Sequence, residues 1–130
     1  MTATIPDSHV DLIDRPGIGA LSTVGADGYP QVTAIWFLRD GDDIVTSLTT
    51  GRQKFKNAAR HPQVTLFVID PSNPFRTIEI RGDFTSEPDP SLATLRRIVA
   101  HYGADFDTFP APKDNRVTVR ITPHRVVTNG

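Results

Sequence analysis

The stretch "RVTVRITPHRVV", from Arg116 to Val127, constrains the fold more than any other. Val117, Val119 and Ile121 fall on one side of an extended chain, and Arg116, Thr118 and Arg120 fall on the other. Strict alternation is the period of a half-buried β-strand and not of a helix. Such a strand needs neighbours, because its backbone N–H and C=O groups must be paired. Five further stretches can supply them: Ile18 to Val24, Gln31 to Arg39, Ile44 to Leu48, Gln63 to Asp70 and Thr77 to Thr85. Turn-forming "GADG" and "DGDD" separate the earlier ones. Gln31 to Arg39 is apolar on both faces for much of its length, which predicts a central strand. The two prolines of "PSNP" (Pro71 to Pro74) predict a loop and not a tight hairpin.

Helical signals are fewer. In "DPSLATLRRIVAHYG" the residues Leu92, Leu95, Val99 and Tyr102 recur at steps of three or four, and Gly103 can end the helix. Asp7 or Ser8 can cap a short first helix that carries Val10 and Ile13 and stops at Pro16–Gly17. A third short helix is expected after Thr49 and Thr50. The chain therefore reads as mainly β (α+β), with six strands and two or three short helices. A barrel is the economical architecture, since closing a sheet leaves few exposed edges; a β-sandwich is the alternative. The length predicts one domain over residues 1–130, with residues 1–17 as an N-terminal helical arm.

Composition narrows the chemistry. The absence of cysteine removes disulfides, thiolate catalysis and cysteine metal ligands. His9, His61, His101 and His124 show no helical metal spacing, so no metal site is expected. A formal net charge of −1 and one small basic cluster argue against nucleic acid as a partner. The longest apolar run, Leu66 to Ile69, is too short to span a bilayer, and the N-terminus lacks the pattern of a secretory signal. No membrane partner and a cytoplasmic location are the resulting expectations. No G-x-S-x-G is present, and "GIG" at Gly17 to Gly19 opens a strand instead of leading into a helix, so it is not a dinucleotide fingerprint. The acids at Asp42–Asp43 and Glu87 to Asp89 belong to turns.

One stretch runs against ordinary helix electrostatics. In "TTGRQKFKNAARHPQ", Thr49 or Thr50 can cap a helix, yet Arg52, Lys54 and Lys56 follow at its positive end. Phe55, Ala58 and Ala59 form the apolar stripe. At ~100° per residue, Arg52 and Lys54 flank that stripe, while Lys56 and Arg60 point into solvent. Side chains lean toward the helix start. Arg52 and Lys54 are thus expected to converge where the helix meets the end of strand Ile44 to Leu48, beside Ser47, Thr49 and Thr50. Cations, hydroxyls and free N–H groups together make an anion site. The competing reading is a solvated charged face.

The segment from Ile18 to Asp70 resembles the flavin- and deazaflavin-binding split β-barrel family named after pyridoxamine 5′-phosphate oxidase. "DPSNPFRTIEIRGDF", "LRRIVAHYG" and "NRVTVRITPHRVV" are similar to the actinobacterial branch that uses the deazaflavin coenzyme F420. The resemblance runs from about Ile18 to Val127 and rests on the order and spacing of the segments. It implies an FMN-binding split-barrel fold and a homodimer with cofactors in clefts at the interface. It further implies that Arg52 and Lys54 hold the cofactor phosphate with Ser47, Thr49 and Thr50 beside it. Gln31, Val32 and Thr33 would line the ring, and Phe75 would pack on the partner's cofactor. The chain is much shorter than the namesake enzyme and lacks its basic C-terminal segment, which argues against pyridoxamine phosphate as substrate.

Trp36 is read either as a core or interface aromatic or as a residue over the ring, and Tyr102 as packing. Arg76, Arg81, Arg116, Arg120 and Arg125 are read as a solvated or interfacial face, one of which can serve an anionic cofactor tail. Three functions follow: an F420-dependent oxidoreductase passing hydride to a small organic acceptor, a cofactor carrier without turnover, and an FMN enzyme or haem-handling relative on the same barrel. FMN is the alternative cofactor.

Overall fold

The computed structural model describes residues 2–130; Met1, the first residue of the expected N-terminal arm, lies outside the described residues. Its strands are β1 (Gly19–Val24), β2 (Pro30–Ile35), β3 (Leu38–Asp40), β4 (Asp43–Thr49), β5 (Gln63–Asp70), β6 (Asn73–Pro88) and β7 (Arg116–Asn129). Three helices accompany them: α1 (Val10–Asp14), α2 (Gln53–Arg60) and α3 (Ala93–His101). All pairings are antiparallel, in the order β2-β1-β5-β6-β7-β4-β3.

That order forces the sheet to curl. Its two edge strands, β2 and β3, are consecutive in the chain and are joined only by Trp36 and Phe37. Three peptide steps span at most ~11 Å, so both edges must meet at this corner. No ladder joins β2 to β3, and the closed sheet is therefore a split barrel. Inside it, Leu21, Phe37, Ile44, Leu66, Ile80 and Ile121 are fully buried. Each such side chain contributes roughly 1.5–3 kcal/mol of apolar transfer energy.

The alternation in the last strand is realised: Val117, Val119 and Ile121 are buried. Its continuation past Pro123 depends on a bulge. The register moves from Arg81 opposite Arg125 to Gly82 opposite Pro123, leaving His124 as the extra residue. Gly82 permits this close approach, since a Cβ there would lie 2.5 Å from the Thr122 carbonyl oxygen.

Several expectations are corrected. There are seven strands instead of six, because Trp36 and Phe37 break Gln31 to Arg39 into β2 and β3. Neither half is central; both are edges, and Val32 is 63% exposed. "PSNP" contains a tight two-residue turn at Pro71–Ser72, with Asp70 opposite Asn73. The Asp70 carboxylate stabilises the turn by accepting from the Ser72 N–H (2.9 Å) and hydroxyl (2.8 Å). Neither Thr49 nor Thr50 caps α2; its N-cap position is Arg52, without a side-chain cap. Ala59 is exposed, and Asn57 takes its place on the buried face with Lys54 and Ala58. In α3, buried Ile98 joins Leu95 and Val99. The expected stop at Gly103 is present, with a left-handed φ of 71°.

Candidate functional site

A cavity of about 270 Å³ opens where the end of β4, the start of α2 and the start of β7 come together. Ser47 and Thr49 face it from β4, Arg52 and Lys54 from the turn into α2, and Arg116 from β7. Local geometry explains the approach. The Arg52 N–H donates to the Thr49 carbonyl (3.2 Å), and the Thr50 N–H to the Asn115 carbonyl (3.1 Å). These bonds fold the chain sharply from strand to helix. Register then places Thr49 directly opposite Arg116.

Lys54 is the anomaly. It is only 6% exposed, yet its ammonium has no ion-pair partner or hydrogen bond among the described residues. Withdrawing an ammonium from water costs several kcal/mol unless another group compensates. Burial holds the pKa of Lys54 below the usual lysine value, and the nearby Arg52 charge lowers it further. Arg116 behaves alike: burial lowers its pKa, and Arg52 adds repulsion. The Arg116 guanidinium is fixed by donating to the Pro112 carbonyl (2.8 Å) and, more loosely, to the Ser47 carbonyl (3.3 Å) and hydroxyl (3.4 Å). Three cations therefore crowd one cavity, and no acid lines it.

The opposite wall is apolar and aromatic. Trp36 lines the cavity and stacks on Tyr102, with ring centroids 4.4 Å apart and planes 8° from parallel. Tyr102 is more than packing. Its hydroxyl donates to the Gly17 carbonyl (2.6 Å) and accepts from the Phe37 N–H (3.0 Å), pinning the corner between β2 and β3. The Thr46 hydroxyl adds a bond to the Trp36 carbonyl (2.7 Å). Phe109, from the segment before β7, tilts against Trp36 at 5.5 Å.

A second, larger cavity of about 610 Å³ follows along β2 and shares Ile18 and Ala34 with the first. Val32 and Thr33 line it, and the buried Thr33 hydroxyl has no hydrogen-bond partner among the described residues. Thus Trp36, Ser47, Thr49, Arg52 and Lys54 gather at the first cavity, and Val32 and Thr33 at the second. Gln31 and Thr50 line neither. The Gln31 amide oxygen accepts from the buried Asn57 amide (3.1 Å), which also donates to the Thr23 hydroxyl (3.2 Å), so this pair ties α2 to β1 and β2. Phe75, 82% exposed on β6, also lines neither cavity.

Among the strand arginines read as a solvated or interfacial face, Arg116 lines the cavity. Of the rest, Arg76 pairs with Asp11 and Asp70, Arg81 with Glu79, and Arg120 with Asp40 and Asp43. The only sequence signal that singles out Arg116 is its place at the first position of an alternating strand, which gains meaning once β4 is known to be its neighbour.

A profile of the pyridoxamine 5′-phosphate oxidase family matches residues 5–130. The chain belongs to this family. A solved structure named F420 reductase is 38% identical, with a TM-score of 0.88, covering 95% of this chain and 98% of its own. General stress protein 26 from Bacillus anthracis is 20% identical at a TM-score of 0.68, covering 92% of this chain and 89% of its own. A heme binding protein from Mycobacterium smegmatis is 16% identical at a TM-score of 0.73, covering 98% of this chain and 56% of its own. These last two show the shared fold alone. Comparison with curated proteins gives no match. The family confirms the split-barrel reading and places the chain among pyridoxamine-phosphate-oxidase-like oxidoreductases. No helix among the described residues is long and apolar enough to cross a membrane.

Proposed function

We propose that the chain is an oxidoreductase that binds the deazaflavin F420, with its phosphate in the cationic cavity, and serves hydride transfer to a small organic acceptor. The observation that carries this reading is Lys54: a lysine only 6% exposed that lines the cavity without a counter-ion among the described residues, beside Arg52, at an uncapped helix start. This donor set fits a phosphoryl group, since several N–H donors and positive charges face one space that holds no acid. The likeness to the F420 reductase supports the deazaflavin over FMN.

In this reading Arg52 and Lys54 anchor the phosphate, with Ser47 and Thr49 offering hydroxyls. Val32 and Thr33, which line the larger cavity along β2, would hold the ring, and the unpaired Thr33 hydroxyl would be a donor for it. Trp36, held by Tyr102, walls off water between the two. The bound deazaflavin supplies the hydride chemistry, and the protein's part is binding, orientation and exclusion of solvent. The exposed Ile18, Val32 and Ile69 surround the second cavity, and Phe75 and Tyr29 are also exposed. Those apolar side chains support a homodimer in which a second copy covers the cleft.

Haem is the weaker alternative on this barrel, because among the described residues no histidine or tyrosine lines either cavity to serve as an axial ligand. The deciding experiment is a fluorescence titration of purified protein with F420 and with FMN. Micromolar binding of F420, and faster oxidation of the bound reduced form by enones or quinones than of the free form, is the expected result. Failure of both cofactors to bind overturns the proposal; binding without acceleration assigns the protein as a carrier.

A further inference from the structure

The cationic cavity carries more charge than a single-charged phosphate group needs. Arg52 and Lys54 come from one turn, but Arg116 comes from β7, on the far side of Ser47 and Thr49. Its Nε and one Nη1 hydrogen are committed to the Pro112 and Ser47 oxygens. That leaves both Nη2 hydrogens free of partners among the described residues, on a side chain that lines the cavity. Arg76, Arg39 and Arg120 each face carboxylates; Arg116 has none among the described residues.

We propose that Arg116 is a third arm of the anion site, and that with it the site selects a ligand bearing two negative charges over a ligand bearing one. Three cations facing one anion leave a strong residual repulsion among themselves, whereas a dianion nearly balances them. The pKa values of Lys54 and Arg116 are lowered first by burial, and the Arg52 charge adds to it. The guanidinium is held at Nε and Nη1, which leaves Nη2 with two N–H donors for a phosphoryl group or carboxylate. Two sources share this chemistry. In a phosphomonoester such as FMN both charges sit on one phosphoryl group. In F420 the second charge comes from a tail carboxylate beyond the phosphodiester. The inference rests on the anion reading of the cavity made above.

The chain has one tryptophan, Trp36, and it lines this cavity, so its emission reports occupancy directly. The test titrates wild-type protein, Arg116→Ala and Arg116→Gln with glycerol 3-phosphate and with dimethyl phosphate. The first is dianionic above about pH 6, and the second always carries a single charge. At pH 7.5 the wild type should prefer the dianion by about tenfold or more, the order expected of one charge-assisted contact. Both variants should lose most of that preference while still binding dimethyl phosphate. Arg116→Gln keeps an amide donor near the Nε position but is two bonds too short to replace the Nη1 bonds to Ser47, so circular dichroism and thermal melts matching the wild type are required of both variants to separate a lost contact from misfolding. A wild type that binds both probes equally, or variants that keep the full preference, would overturn the inference. A wild type that binds neither overturns the anion site itself. Parallel titrations with FMN and F420 separate the sources. A loss confined to FMN assigns the monoester, a loss confined to F420 assigns the tail carboxylate, a loss shared by both assigns Arg116 to the phosphoryl group common to the two, and no loss for either rejects the third arm.

Discussion

Two arginine-rich regions of this barrel have opposite electrostatics. On one side, Arg76 reaches Asp11 and Asp70 and donates to the Ser8 carbonyl, clamping the N-terminal arm and α1 onto the β5–β6 hairpin. Arg76, Asp11 and Asp70 all have charged partners there. Hydrogen bonds and charge attraction raise the Arg76 pKa. Asp11, held chiefly by Arg76, and Asp70, held first by Ser72 and then Arg76, are pulled down to about 2. On the other side, Arg52, Lys54 and Arg116 meet without an acid, and burial depresses Lys54 and Arg116. Matched charges finish a structure; mismatched buried charges mark a place where something from outside completes it.

The comparison can be broken most sharply at the ligand. Replacing Arg52 and Lys54 together by alanine should weaken F420 binding by about 3–6 kcal/mol, two charge-assisted contacts at roughly 1.5–3 kcal/mol each. Calorimetric titration measures this, and unchanged affinity would return both residues to the solvated-face reading. The next effect is stabilisation by ligand. At a concentration one hundred times Kd, a molecule that binds only the folded state adds about 2.7 kcal/mol. Thermal melts should therefore rise with F420 in the wild type and stay flat in the double variant.

A smaller effect has the opposite sign. Lys54→Met removes a buried, unpaired charge and keeps the stem volume, so the ligand-free protein should gain on the order of 1 kcal/mol. Denaturant unfolding would show it. The matched cluster predicts the reverse: Arg76→Met should lower the melting temperature and leave ligand affinity alone. A protein stabilised by Arg76→Met, or destabilised by Lys54→Met, would erase the distinction between the regions.

Acid provides the mildest discrimination. Asp11 and Asp70 have folded pKa values of about 2 against an ordinary 3.8. Below 3.8 the unfolded chain takes up protons that the folded one does not, so their contribution is complete above that pH. It is lost as pH falls toward and through about 2. Urea midpoints should decline across that window in the wild type, and the decline should be shallower in Arg76→Met.

Much of this molecule is legible in the residue pattern. The alternation of Val117, Val119 and Ile121 fixes which face of the last strand is buried, since side chains on an extended chain have no other way to divide. Cations after a strand end mark the cationic cavity, because Arg52 and Lys54 stand where backbone dipoles make them costly. The same pattern misleads at Gln31 to Arg39. Apolar residues on both faces imply enclosure, but this segment is divided between two edges, and Val32 stays exposed on the single chain.

What the sequence by itself determined was periodicity and local cost: strands, turns, the helix of Leu95 and Val99, and a misplaced positive charge. Only the tertiary structure decided which strands became neighbours. The pairing of Thr49 with Arg116 brought a distant arginine to the cavity, and the packing of α2 buried Asn57 in place of Ala59 and Lys54 along with it. Periodicity is a property of each segment alone, whereas register and burial come from contacts between segments far apart in the chain.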